Sequence, residues 1–309
     1  MADKIYKLTF ENGDSYRGPL VDNRPCAEGE YTYVNGDKYK GDFLGDYPNG
    51  KGKISFVNGN VYNGSVRLGK PHGKGSISYA DGRKFVGRFR KGKRFGKGTM
   101  VFDDSHELEK FEGIYLNDNP VFGTDYFRNG KKYTGFFKND KRHGFGKMEL
   151  ASGDSFVGRF ADDFVDTDKR VKYNYSDGAR FTGKYNSDGS FLKGRFELEN
   201  GEYYDGDWKN GKPDGKGTLV YEGGSKYVGD FVGGLRHGQG TMYYKKSGDK
   251  YVGGWKNDKQ FGKHNYYWAN GDVCENGTVY EDGTSSGMLI RADGSKIFGR
   301  WDKNGKAIN

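Results

Sequence analysis

An aromatic residue, any residue and then glycine recur about every 23 residues along this chain. The motif runs Tyr16/Gly18, Tyr39/Gly41, Tyr62/Gly64, Phe85/Gly87, Phe111/Gly113, Tyr133/Gly135, Phe156/Gly158, Phe181/Gly183, Tyr204/Gly206, Tyr227/Gly229 and Tyr251/Gly253. Two weaker copies are led by Cys274 and Ile297. A fixed period of this size means a stack of small identical units. Function then belongs first to a surface repeated along the stack, before any single pocket.

The length of 309 residues would by itself suggest two ordinary domains, but the repeat overrides that prior. Leu, Ile, Val and Phe together are scarce enough to raise the question of disorder. Aromatic content of 16% and a net charge of only +9 argue against it. Tyrosine (24) and phenylalanine (22) replace the missing aliphatics, and glycine reaches 53 residues. Rings bury large areas each, and glycine leaves room for them. A thin structure can therefore be held by rings packed over glycines. The two cysteines, Cys26 and Cys274, make no disulfide framework, which points to a reducing compartment. The opening residues lack the apolar run of a signal peptide, and no stretch reaches transmembrane length. A cytoplasmic protein is expected.

Residues 213–235 show the unit clearly. Gly215, Gly217, Leu219 and Tyr221 share one parity, as do Tyr227, Gly229 and Phe231. Side chains alternate faces along a strand, so each strand carries a row of glycine and aromatic residues on one side. Between the strands sits a turn dipeptide such as Asn35-Gly36, Asp81-Gly82 or Asn270-Gly271, expected to supply the positive φ angles of a tight hairpin. Stretches such as Asp140-Lys141-Arg142-His143-Gly144 are expected to link one hairpin to the next along one edge. A lone hairpin is marginal in water, so hairpins stack, each ring lying over its neighbour's glycine. The fold class is all-β: an elongated single-layer repeat of stacked antiparallel β-hairpins, about 13 in number. One array spans 1–309, with clear copies over 10–271 and degenerate capping copies over 272–309. Three irregular segments, 103–110, 161–170 and 186–195, read as longer loops or a bend.

The pattern resembles the MORN (membrane occupation and recognition nexus) repeat. It is carried by Tyr204-Asp-Gly206-Asp-Trp208 followed by Gly215-Lys-Gly217, and by Tyr133-Thr-Gly135-Phe-Phe137 with His143-Gly144-Phe-Gly146. Tyr62-Asn-Gly64 with His72-Gly73-Lys-Gly75 gives a third clear example. Copies around 111–127, 161–176 and 184–196 depart from the pattern. The resemblance implies a groove-like β ribbon acting as a scaffold in cilia, cortical cytoskeleton or membrane contact sites. It implies first a ciliary axoneme component of the radial-spoke-head type.

The residues offer no catalytic constellation. His72, His143 and His237 occupy one repeated position and read as part of the unit. His106 and His264 lack metal-ligand spacing. The acidic run Asp162, Asp163, Asp166 and Asp168 lacks the glycine and terminal glutamate of a calcium loop. No enzyme, cofactor or metal is expected. The expected partner-binding face is lined by Tyr39, Phe43, Tyr133, Phe137, Tyr204, Trp208, Tyr227, Phe231, Tyr251 and Trp255, holding extended or helical segments of other proteins in a multi-subunit assembly. An alternative is a peripheral membrane tether binding anionic phospholipid weakly through Lys93, Arg94, Lys141 and Arg142. Acids on the same edge weaken that field. Open end strands allow a homodimer. Nucleic acid is not expected, because the aromatics sit at structural parity.

Overall fold

Every aromatic-x-Gly motif from Tyr16/Gly18 to Tyr251/Gly253 lies in a short β-strand, and each strand pairs antiparallel with its neighbours in sequence. Lys38–Leu44, for example, pairs with Arg24–Thr32 on one side and Tyr47–Ser55 on the other. Glycine faces glycine across these ladders, as at Gly41↔Gly52 and Gly206↔Gly217. The computed structural model describes residues 4–186, 189–303 and 306–308, and among these there is no helix. Parts of the segment 186–195 and of the expected cap 272–309 lie outside the described residues.

The chain divides into two units: Met1–Ala151 with Arg159–Val165, and Ser152–Gly158 with Asp166–Asn309. Each is a run of antiparallel strands. The first runs from Tyr6–Thr9 to Lys141–Glu149, closed by the pair Phe160↔Val165. The second runs from Val171–Asn174, which pairs with residues 155–157, to Lys296–Trp301.

The two kinds of connection exchange the roles expected of them. The tight two-residue turns are the stretches read as links between hairpins. Asn139 and Asp140 have φ of 52° and 60°, and Asn257 and Asp258 have 49° and 66°. Two positive φ values in succession are the type I′ requirement, which Asn, Asp and Gly tolerate. At Asn35-Gly36 only the glycine is left-handed (φ 90°), and its N–H donates to the Tyr33 carbonyl. The Asn35 side chain instead accepts from the Asp37 N–H. Asp37 in turn accepts from the Val57 N–H in the next such turn, 2.9 Å away. Asp14, Asp249 and Asp272 repeat that staple to Val34, Ala269 and Ala292.

Rings fill the space the glycines leave, but within one strand pair. Tyr204 covers Gly206 on its own strand and Gly217 on the strand joined to it by a tight turn. Tyr39, Tyr62, Tyr133 and Tyr227 do the same over Gly52, Gly75, Gly146 and Gly240. The core of each unit is this file of rings, most with an apolar residue opposite, such as Ile54, Met100 and Met148 in the first unit and Met242 in the second.

Candidate functional site

The ring rows are interior. Of the ten residues expected to line a partner face, nine are buried: Tyr39, Phe43, Tyr133, Tyr204, Trp208, Tyr227, Phe231, Tyr251 and Trp255; Phe137 is half-buried. They pack edge to face on one another. Tyr204–Trp208 and Tyr204–Phe231 centroids both lie 5.0 Å apart, at 88° and 81°. Tyr227 meets Phe231 and Trp255 at 5.1 Å. Ring area already used against glycine backbone and neighbouring rings is not available to a partner, so their role is to hold the sheet.

The hydroxyls complete that role. Tyr39, Tyr133, Tyr204, Tyr227 and Tyr251 each donate to the carbonyl three residues on, over 2.8–3.1 Å. Those carbonyls sit at the register shift after each motif, for example between Gly206 and Trp208. The bulge takes a carbonyl out of the ladder and the phenol satisfies it. Burial pushes the Tyr62 and Tyr133 phenols up to about 12, so they remain donors at neutral pH.

The opposite face carries what a partner can reach. In the first unit, Ile114 pairs in register with Phe122, and Phe122 with Phe136. The Phe122 and Phe136 rings lie 5.2 Å apart. Ile114, Phe122, Phe136 and the nearby Phe145 are 41%, 40%, 52% and 60% exposed. Tyr126 continues this face, flanked by Lys110 and Lys132 Nζ at 4.4 and 5.6 Å from its ring. The sequence reading passed over these residues because it followed the glycine parity alone.

The basic edge is largely neutralised. Arg142 Nε and backbone N–H both donate to Asp163 Oδ1, at 3.0 and 2.9 Å. Arg94 makes the same pair with Asp118. Both guanidiniums are half-buried over rings, so of the four residues expected to meet lipid only Lys93 and Lys141 are exposed. Asp162 and Asp163 form a tight turn with φ of 47° and 78°, which explains the acidic run structurally.

Of the segment 103–110, residues 103–107 form a longer connection and 108–110 open the strand Leu108–Leu116; the carbonyls of Phe102, Asp103 and His106 are held by the Arg128 guanidinium. The segment rims an open cavity of about 740 Å3 in the first unit, lined by Phe111, Pro120, Asp125, Phe137, Asp140 and Arg142 among others. The Asp125 residue is 6% exposed, its carboxyl faces this cavity and, among the described residues, that carboxyl has neither a side-chain hydrogen bond nor an ion pair. Burial raises its carboxyl to about 7, with Arg142 opposing the shift and Asp163 reinforcing it.

Comparison with known proteins places these features in a family. The MORN repeat model matches at residues 16–38, 39–61, 62–82, 85–107, 133–155, 204–226, 227–248 and 251–273, together more than half of the chain. The unmatched hairpin over 111–127 is still a strand pair of the same kind, whereas Ser155–Ala161 splits its pairing between 164–165 and 171–174. No curated protein matches. Among solved structures, the chain has 14% identity to the TCP domain of Drosophila melanogaster SAS-4 in complex with a proline-rich motif of Ana2, covering 66% of this chain and 90% of that one at a TM-score of 0.26. The G-box domain of the microcephaly protein CPAP gives 11% identity over 96% and 97%, TM-score 0.13. A streptogramin B lyase gives 10% over 96% and 94%, TM-score 0.14. Scores this low contribute nothing to the functional reading. Eight matches and the ring-on-glycine hairpin agree on one conclusion: the chain belongs to the MORN repeat family.

Proposed function

We propose that this chain is a non-catalytic scaffold of a multi-subunit cytoskeletal assembly, binding segments of partner proteins on the face opposite its ring core. The observation that carries this reading is the exposed apolar row Ile114–Phe122–Phe136 on a sheet face that no element of the described chain covers. Contiguous exposed apolar surface rimmed by polar residues marks an interaction site. Family resemblance supports a cytoplasmic, ciliary setting, with the axoneme and its radial-spoke heads as the first place to look.

Quantitative affinity capture from ciliated-cell extract tests this, comparing the wild type with the double variant Phe122→Ser/Phe136→Ser. The reading expects axonemal proteins that are retained by the wild type and lost from the variant, with both proteins equally folded. An identical set of captured proteins overturns it. Flotation with phosphoinositide liposomes at physiological salt runs alongside. Binding abolished by reversing Lys93 and Lys141 would favour a membrane tether instead.

A further inference from the structure

One place recurs through the tight-turn hairpins and is filled in two ways. It is the second residue after the turn. Arg94, Arg142 and Arg236 occupy it in three hairpins, paired in register with Phe89, Phe137 and Phe231. Each arginine donates its backbone N–H and Nε to the aspartate that ends the following tight turn: Asp118, Asp163 and Asp258. Each guanidinium lies over the lead ring of its own hairpin. Arg94 is 5.7 Å from the Phe85 centroid, Arg142 is 5.8 Å from Tyr133 and Arg236 is 5.8 Å from Tyr227. Arg94 and Arg236 also lie over the second ring of the next hairpin, Tyr115 at 4.9 Å and Trp255 at 4.3 Å. Pro48, Pro71 and Pro213 fill the same place elsewhere, and there the following turn ends in glycine: Gly69, Gly92 and Gly234. Arginine goes with aspartate, and proline with glycine.

The hairpin Leu108–Leu116/Asn119–Phe127 breaks the rule. Pro120 holds the arginine place, in register with Tyr115, yet the next turn keeps its acid, Asp140. Proline has neither an N–H nor a guanidinium to give it. The two rings that the missing guanidinium would lie over are present. Phe111 and Phe137 lie 5.1 Å apart at 86°, like Phe85–Tyr115 at 5.0 Å and Tyr227–Trp255 at 5.1 Å. Both rings, Pro120 and Asp140 line the open cavity.

A second, independent departure points into the same space. In register with the lead ring, the other hairpins carry an apolar residue: Ile54 against Tyr39, Met100 against Phe85, Met148 against Tyr133 and Met242 against Tyr227. Against Phe111 stands Asp125, largely buried, its carboxyl turned to the cavity with no side-chain partner among the described residues. A lone carboxyl in a core place costs stability unless something pairs with it. Pro25 and Asp46 repeat the proline–aspartate combination, but there Tyr31 fills the core place and no second carboxyl waits.

We propose that the open cavity lined by Phe111 and Phe137 receives the guanidinium of an arginine from a partner polypeptide, in the place that Arg94 and Arg142 fill from within the chain on either side. Asp140 takes the role of Asp118 and Asp163, and Asp125 supplies a second carboxylate from beneath. The neighbouring guanidiniums of Arg94 and Arg142 are already paired, so the site offers two carboxyl groups, Asp140 and Asp125, to one incoming cation. A planar guanidinium suits two rings and a carboxylate better than an ammonium does. The inference rests on the reading of the chain as a protein-binding scaffold and gives that scaffold one anchoring chemistry.

The test uses the full chain and the probe acetyl-Gly-Arg-Gly-amide, with lysine and citrulline counterparts, followed by amide NMR shifts. The arginine probe is expected to give saturable shifts at Phe111, Asp125, Phe137 and Asp140. Lysine should bind more weakly, and the uncharged citrulline not measurably. Asp125→Asn should weaken binding by about tenfold or more. Pro120→Arg should abolish it by filling the place from within, while dispersion elsewhere in the spectrum is retained. No saturable shift, equal shifts with citrulline, or undiminished binding in Pro120→Arg overturns the proposal. Tighter binding of free arginine than of the peptide overturns the partner and assigns the place to a small molecule. The outer-face capture experiment does not depend on this cavity, so failure here leaves the scaffold reading standing, and the two failures are told apart.

Discussion

The ring of Tyr204 occupies the space that a side chain at Gly206 would need: a Cβ there would lie 2.5 Å from the tyrosine hydroxyl and 2.6 Å from the Gly217 α-carbon. One of those contacts is backbone, which cannot swing away. Gly206→Val should therefore destabilise its strand pair by about 1–3 kcal/mol through overpacking. The damage should stay local, since units in a stack touch only their neighbours. Hydrogen exchange should show faster opening over 203–220 with protection unchanged over 250–267. Unaltered protection at 203–220 would contradict ring-on-glycine packing as the source of stability.

The lead hydroxyls make a separate contribution. Tyr133 donates to the Phe136 carbonyl at 3.0 Å, whereas Phe85 and Phe111 hold the same place with no hydroxyl. Tyr133→Phe keeps the ring and removes the donor, leaving a bulge carbonyl with one partner fewer. The expected cost is about 0.5–1.5 kcal/mol, read as a lower denaturant midpoint with an unchanged slope. A midpoint that does not move would mean that water satisfies the carbonyl equally well.

The unit itself was legible because glycine parity and ring spacing are set by the pleat, and Gly206↔Gly217 lies as that parity requires. The turns were less legible. Asn35-Gly36 has the composition of a two-residue type I′ turn, but only Gly36 takes a positive φ, because Asn35 is engaged with the Asp37 N–H. The tight turns fell instead on Asn139-Asp140 and Asn257-Asp258, where two left-handed residues adjoin. The rings expected to dock a partner are buried for a physical reason. Tyr39 and Tyr227 looked like docking rings, but a ring laid over bare backbone is consumed by doing so. The outer row of Ile114, Phe122 and Phe136 has no 23-residue rhythm, and nothing in the period signals it. Asp125 could have been found by aligning the copies, where an acid stands in place of Ile54, Met100 and Met148.

That substitution has a direct consequence for stability. Asp125 is largely buried beside Phe111, and among the described residues its carboxyl, which faces the open cavity, has no side-chain hydrogen bond. Asp125→Met restores the residue type that Met100 and Met148 supply in the flanking hairpins. The variant should be more stable by about 1–3 kcal/mol, the cost of an uncompensated buried polar group. Thermal or denaturant unfolding measures it. A less stable variant would mean that Asp125 has a compensating partner in the folded chain. A stabilised variant that loses the arginine probe would be the usual trade of stability for a binding site.

Asp125 also sets a pH dependence with a definite sign. Burial raises its folded pKa from 3.8 to about 7, so the fold favours the neutral acid. In the unfolded chain the group has already ionised above the ordinary carboxyl range. Its contribution is then fully present below about pH 4 and is lost as pH rises through about 7, because between those values the folded state binds the extra proton. The whole loss is on the order of a few kcal/mol. Asp125→Asn has no proton to lose at this site. The stability of the wild type relative to Asp125→Asn should therefore fall between about pH 4 and pH 7 and level off above. Comparing denaturant midpoints of the two proteins across that range measures the difference with other titrations cancelled. A difference that stays flat would mean that the carboxyl is solvated or paired in solution, and a saturating arginine probe should flatten it by ionising Asp125 at every pH where it binds.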